Sequence, residues 1–239
     1  VAYCYDFADR LVSSTPVVAQ VGANPVLGVA LSTGGASPTI VYDSHGNTIG
    51  LANQTMVFDA ANRHVKTTVI DAGVATVVTY ARDATGRVVA RTTQVGAAPA
   101  TTVQYLYSSG GLFATRVVDA TSIAVFERSV SLPGGVQVTF DSTAGQVWSY
   151  PNLHGDVILT ADSDGVRVGA RYRYDPFGQP IAADGTIGTV TADETIPDNS
   201  DGDADHGWVG QHQKLYEHAG SIASIEMGVR VYLPALGRF

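Results

Sequence analysis

The chain has 239 residues, of which 45% are hydrophobic and 15% are charged, with a net charge of −8 at neutral pH. The low charged fraction excludes a disordered tail, and the acidic balance disfavours non-specific binding to nucleic acid. No apolar run approaches the roughly 18 residues of a membrane span. The single cysteine, Cys4, excludes an intrachain disulfide and is interpreted as a small core side chain.

Along the chain, an aromatic residue and an aspartate repeatedly precede a polar turn and a returning aliphatic strand. The repeat occurs at Tyr5-Asp6, Tyr42-Asp43, Phe58-Asp59, Tyr80 to Asp83, Phe140-Asp141 and Tyr174-Asp175. Apolar residues at helical spacing are missing, whereas β-branched residues between turn residues are typical of short strands. The pattern therefore predicts an all-β fold of consecutive antiparallel hairpins.

Each repeat has its own turn chemistry. The aspartate accepts hydrogen bonds from backbone N–H groups two or three residues further on, and a following Gly or Asn takes the positive φ. The arginine that often follows starts the returning strand, and its stem can cover an aromatic ring of a neighbouring unit. The predicted turn residues are Asp6, Asp43, Gly46, Asp59, Asn62, Asp83, Gly86, Asp141, Gly145, Asp175 and Gly178. One hairpin is marginal alone, so many must stack side by side.

Two regions are predicted. Residues 1–139 are interpreted as repeated hairpins, and residues 140–239 as a more specific core segment. Within the second region, residues 182–207 are polar, acidic and rich in turn residues, which predicts a surface loop.

The repeated units resemble the YD repeats of Rhs and teneurin-like proteins. The C-terminal third is similar to the Rhs-associated core in the order of its motifs. These motifs are Asn152-Leu153-His154-Gly155-Asp156, Tyr172 to Gly178, Gly207 to Gly210, Met227 to Tyr232 and Pro234 to Phe239. The resemblance implies a strip of a spiralling β-shell, as in Rhs polymorphic toxins, where the shell encloses a C-terminal toxin domain.

The resemblance implies a structural function, which is to enclose or support a C-terminal domain without enzymatic activity or a cofactor. The implied partners are other YD-repeat segments and a C-terminal domain of the same parent protein, and the implied location is secreted or at the cell surface. Two alternatives stay open: a module that binds carbohydrate or a cell surface, and part of an aspartyl self-cleaving module completed by a motif beyond Phe239. Many relatives have Asp-Pro before the final Gly-Arg-Phe, whereas this chain has Leu233-Pro234.

Three further motifs invite a chemical interpretation. Asp175-Pro176 is interpreted as a turn, because an aspartyl protease needs a second carboxylate beside the first. The carboxylates Asp201, Asp203 and Asp205 are weak candidates for a calcium loop, but the full EF-hand spacing is not present, so no metal is predicted. His206, His212 and His218 lack the spacing of a zinc site and are interpreted as partly buried structural histidines.

Overall fold

The computed structural model describes residues 2–15, 31–32, 40–108, 111–118, 123–141, 145–188, 190, 194–200 and 202–239. These residues form three antiparallel sheets. Two short 3-10 turns, Pro133–Gly135 and Gly210–His212, are the helical elements of the described ranges. None of the described residues forms a helix that is long and apolar enough to cross a membrane.

The largest sheet has 13 strands in sequence order, so each strand pairs with the strand that follows it in the chain. We call it the hairpin sheet. Its strands are β4 (Ile40–Tyr42), β5 (Thr48–Leu51), β6 (Gln54–Phe58), β7 (His64–Asp71), β8 (Val74–Arg82), β9 (Val88–Val95), β10 (Thr101–Ser108), β11 (Gly111–Val118), β12 (Ile123–Ser131), β13 (Gln137–Asp141), β14 (Gly145–Pro151), β15 (Val157–Ala161) and β16 (Arg167–Val168).

Two smaller sheets flank it in sequence. The first contains β1 (Ala2–Tyr5), β2 (Leu11–Thr15) and β3 (Leu31–Ser32). The second contains β17 (Ala204–Asp205), β18 (Tyr216–Glu217), β19 (Ser224–Met227) and β20 (Arg230–Tyr232). The predicted all-β fold of consecutive antiparallel hairpins is therefore confirmed.

The hairpin sheet buries one of its faces. Burial alternates along β8, where Val78 and Tyr80 are buried and Thr79 and Ala81 are exposed. Successive side chains of a strand point to opposite faces, so this period of two separates a covered face from a solvated one. Register between β7 and β8 is continuous from Lys66↔Thr79 to Asp71↔Val74, which keeps the buried side chains of neighbouring strands on the same face.

The covered face packs against the end of the chain. We call residues 194–200 and 202–239 the C-terminal layer. One core joins Val78, Tyr80 and Val103 of the hairpin sheet to Leu215 and Ile222 of this layer. A second core joins β2 and β4 to β6 with β20 and the residue that follows it: Leu11, Ile40, Leu51, Met56, Val231 and Leu233. A third core, formed by Ile196, Tyr216, Ile225 and Tyr232, lies within the layer itself.

Two sequence predictions are wrong. The segment 182–207 is not a surface loop throughout, because Ile196, Asp205 and His206 are buried in the C-terminal layer, whereas Asp184, Glu194 and Asp203 are exposed. The acidic composition of the segment indicated solvent exposure, although the segment also contains apolar residues that enter the core. The sequence did not show the hydrogen-bond partners that Asp205 has in the buried layer. Cys4 is exposed rather than part of the core, since it lies on β1, an edge strand of the small N-terminal sheet.

Candidate functional site

The predicted turn residues share one hydrogen-bonded geometry. Asp59 Oδ1 accepts the N–H groups of Ala61 and Arg63, each at 2.9 Å, and Asp59 Oδ2 accepts from Arg63 Nε at 2.8 Å. The same bonds recur at Asp6, Asp43, Asp83 and Asp175, where the fourth residue onward is Arg10, Asn47, Arg87 and Gln179. In the turn at Asp59 the residue in the left-handed region is Asn62, with φ of +61°. Each turn is thus closed by backbone and side chain together.

The same position carries a positive φ in the other turns. It is occupied by Asp9, Gly46, Gly86 and Gly178, with φ of +57°, +86°, +85° and +88°. The aspartates that begin these turns have lowered pKa values at Asp6, Asp43, Asp59 and Asp83. For Asp59 the principal cause is the hydrogen bond from the Arg63 side chain. The aspartates are therefore held as turn-forming anions.

Neighbouring turns also contact each other. The Arg87 guanidinium lies 4.7 Å from the ring centre of Tyr107, and Arg10 lies 5.5 Å from that of Tyr42. Asn47 Nδ2 donates to Asn62 Oδ1 at 2.6 Å, which joins two successive turns. The repeat unit therefore supplies lateral contacts between hairpins as well as its own turn.

At Asp141 the structure describes the two ends of the turn. Asp141 pairs with Gly145 at the ends of β13 and β14, and Gly145 has φ of +87°. Residues 142–144 of this turn lie outside the described residues. At Asp175, both carboxylate oxygens accept hydrogen bonds within the turn, from Phe177 and Gln179.

Buried ion pairs connect the hairpin sheet to the C-terminal layer. The Arg91 guanidinium donates to both oxygens of Glu217, each at 2.6 Å, and Tyr80 Oη donates to Glu217 Oε2 at 2.9 Å. Burial alone would raise the pKa of Glu217, but Arg91 and the N–H of Ala219 hold it below its ordinary value. Burial raises the pKa of Tyr80 well above that of a free tyrosine, so its hydroxyl stays a donor.

A second buried carboxylate repeats this arrangement. Glu226 of β19 accepts from His64 Nδ1 at 2.8 Å and pairs with Arg82 of β8. Arg82 Nε also donates to the carbonyl of His64 at 2.6 Å, and the N–H of His64 donates to the carbonyl of Val229 at 2.9 Å. Side-chain and backbone bonds thus hold the layer on β7 and β8.

The weak metal candidates do not converge on a cation site in the described part of the chain. Asp205 Oδ1 accepts the N–H groups of Asn199 at 2.8 Å and Ser200 at 2.7 Å, and Oδ2 contacts His218 Nε2 at 2.7 Å. Asp203 is exposed, and Asp201 lies outside the described residues. No group of three potential metal ligands occurs among the residues that the structure describes.

The three histidines do not come together either. His206 and His218 are buried, whereas His212 is exposed, which corrects its interpretation as a partly buried residue. Burial lowers the pKa of His206. Burial also acts to lower the pKa of His218, but the hydrogen bond to Asp205 and the nearby negative charges of Asp205, Glu217 and Asp203 together outweigh it and raise the pKa above its ordinary value.

Sequence reasoning missed the buried ion pairs. One signal was available: Arg91, Glu217 and Glu226 are charged residues within short β-patterned segments of a chain that is otherwise poor in charge. A charge at an inward strand position requires a partner. Which partner it meets depends on packing between segments more than 100 residues apart, and one sequence does not contain that information.

The fold is similar to two solved structures. The crystal structure of TcdB2-TccC3 matches with a TM-score of 0.60 at 18% identity, covering 98% of this chain and 12% of that chain. The crystal structure of TcdB2-TccC3-TEV matches with a TM-score of 0.59 at 16% identity, with the same coverage. No protein-family model and no curated protein matches the chain. At these identities the likeness shows the fold alone, and it supports an Rhs-like shell fold for a chain that spans 12% of the length of these proteins.

Proposed function

We propose that this chain is a structural segment of an Rhs/YD-repeat β-shell that encloses or supports a C-terminal domain of the same parent protein. The observation that carries the proposal is the fold likeness over 98% of the chain to a segment of TcdB2-TccC3. The ladder of 13 sequential strands is consistent with a wall, since hairpins of this kind can be added in register. The proposed location is secreted or at the cell surface, and the proposed action is non-catalytic.

The polar chemistry of the described residues supports a structural role. The turn aspartates are engaged within their own turns, and Glu217 and Glu226 are each paired with an arginine of the hairpin sheet. These groups hold hairpins together and fix one layer on another. They are therefore stabilising contacts.

The self-cleaving alternative depends on residues beyond this chain. The position that many relatives fill with aspartate is Leu233, which is 1% exposed and packs with Leu11, Ile40 and Leu51. A carboxylate at this position would lie in an apolar core. In this chain the position is filled by a leucine that packs in that core. The carbohydrate-binding alternative would use exposed aromatic rings, whereas Tyr80, Tyr105 and Tyr216 are buried.

Cryo-electron microscopy of the natural polypeptide that contains this sequence, together with its intact mass, tests the proposal. We expect residues 40–168 to lie in the wall of a hollow shell that surrounds or supports density for another part of the same polypeptide. A native polypeptide of about this chain's own mass, with no second domain, would contradict the proposal. A saturable ligand on a glycan array would then favour the binding module.

A further inference from the structure

A cleft of about 170 Å³ opens where the C-terminal layer meets the hairpin sheet. Arg87, Val88 and Tyr107 line it from the sheet, and Lys214 and Leu215 line it from the layer. At roughly 10–15 Å³ for each water, the cleft has room for on the order of ten waters, which is enough for a small organic group.

The charges of the cleft do not cancel. Two of its cationic side chains already have carboxylate partners, since Arg82 pairs with Glu226 and Arg87 pairs with Asp83. Lys214 has no ion-pair partner among the residues that the structure describes, and it is half-buried. The cleft therefore keeps the equivalent of one positive charge, which a monovalent anion would neutralise.

The backbone immediately before Lys214 is held in a conformation that its residues disfavour. Val209 and Gln213 flank the 3-10 turn with left-handed φ of +48° and +55°, which is unusual for a β-branched residue such as valine. Asp156 Oδ1 accepts the N–H of Val209 at 3.0 Å, and Gln137 Nε2 donates to a carbonyl of the turn. Strain of this kind persists where surrounding contacts over-determine it, and it is frequent at binding sites.

Gly111 of β11 and Gly135 of the 3-10 turn between β12 and β13 leave room for side chains of the loop 209–213. A Cβ atom at Gly111 would overlap the Gln213 amide, and one at Gly135 would overlap the Gln211 amide. The loop is therefore seated on two separate hairpins, and this seating fixes the backbone that presents Lys214.

We propose that this cleft binds a carboxylate carried on an aliphatic body, with the Lys214 ammonium as its counter-ion and Val88, Tyr107 and Leu215 as its apolar wall. A monoanion leaves the cleft neutral, whereas a phosphate dianion would add a second negative charge beside Glu226. Tyr107 Oη donates to the carbonyl of Val88 at 2.8 Å, so the hydroxyl is already engaged within the sheet, and the Arg87 guanidinium lies 4.7 Å from the ring centre. A branched-chain fatty acid and the C-terminal leucine of a peptide share this chemistry.

Lysine methyl signals test the proposal directly, because Lys66 and Lys214 are the only lysines of the chain. Reductive ¹³C-methylation keeps the charge of both side chains and gives each its own resonance. The probes are 4-methylpentanoate, acetate, 3-methylbutanol and inorganic phosphate. We expect 4-methylpentanoate to shift the Lys214 signal saturably and to leave Lys66, the internal control, unchanged.

Acetate should bind about tenfold or more weakly because it lacks the aliphatic body, and the neutral alcohol should not bind. If N-acetyl-leucine binds as tightly as 4-methylpentanoate, the natural ligand is assigned as the C-terminus of a peptide. If it binds more weakly, the natural ligand is assigned as a free acid.

A calorimetric titration of unmodified protein should lose its heat of binding in Lys214→Met and keep it in Lys66→Met. Equal shifts of both lysines, binding that survives Lys214→Met, or saturation by phosphate alone would overturn the proposal. The proposed shell function does not depend on this outcome, which a structure of the parent protein tests separately.

Discussion

The hairpin sheet and the C-terminal layer are stabilised in different ways. In the hairpin sheet, each strand pairs with its sequence neighbour, and each turn of the repeat is closed by an aspartate four residues from its partner. In the C-terminal layer, the strands are two to four residues long, and the key contacts join residues far apart in the chain, such as Arg91 and Glu217. Local repeats are therefore sufficient to specify the hairpin sheet, whereas long-range packing and buried ion pairs position the C-terminal layer on it.

The largest expected effect comes from breaking the ion pair between the two regions. In Glu217→Gln, the Arg91 guanidinium stays buried without a charged partner, and removing one member of such a pair costs about 3–5 kcal/mol. Urea unfolding should show this loss in the free energy of unfolding. Glu194→Gln is the matched control, because Glu194 is exposed and should change stability little. Equal effects of the two variants would contradict the assigned role of Glu217.

The next effect concerns the apolar contact between the first and last described segments. Leu233→Ala should destabilise the protein by about 2–5 kcal/mol, because it leaves a cavity among Leu11, Ile40 and Leu51. Leu153→Ala is the control, since Leu153 is fully exposed at a turn. Thermal unfolding checks both variants, and a Leu233→Ala protein as stable as the control would show that this core is loosely packed.

A third test separates turn strain from contact with the C-terminal layer. Gly178 and Gly165 occupy the same turn position, with φ of +88° and +75°. A Cβ at Gly178 would lie 2.6 Å from the Trp208 ring, whereas a Cβ at Gly165 meets nothing within 4 Å. Both alanine variants should therefore lose about 1–2 kcal/mol to backbone strain, and Gly178→Ala should lose about 1–3 kcal/mol more to overpacking. Equal losses in urea unfolding would mean that the layer does not press on this turn.

The smallest expected effect is a pH dependence within the C-terminal layer. The pKa of His218 is raised above its ordinary value in the folded state, so its protonation stabilises the fold. This stabilisation is fully present below the unfolded pKa and is lost as the pH rises through the folded pKa. The stability difference between the natural protein and His218→Gln should therefore be larger at about pH 5.5 than at about pH 8.5.

His206 contributes in the opposite direction, since burial lowers its pKa and the unfolded state takes up its proton first as the pH falls. This contribution is common to both proteins and cancels in the difference. A stability difference that grows with pH would contradict the assigned pairing of His218 with Asp205.

The sequence predicted the hairpin sheet well because its determinants are local. The aspartates at Asp43, Asp59 and Asp83 and the small residues after them specify turns within five residues, and alternation specifies the buried face. The sequence did not predict that Asp205 would be buried, because its partner His218 belongs to a different segment and acidic composition usually indicates solvent exposure. The division into residues 1–139 and 140–239 stays a prediction. In the fold, β12, β13 and β14 run through this boundary as neighbours in one sheet.

Hydrogen exchange tests most directly whether the hairpin sheet and the C-terminal layer form one cooperative unit. The amides to compare are those of β8 and β9 in the sheet and those of β18 and β19 in the layer. We predict equal opening free energies in the natural protein, and an equal decrease in both sets in Glu217→Gln, because the buried pairs couple the two regions. Exchange of the layer at a much lower free energy, with the sheet unaffected by Glu217→Gln, would contradict the account.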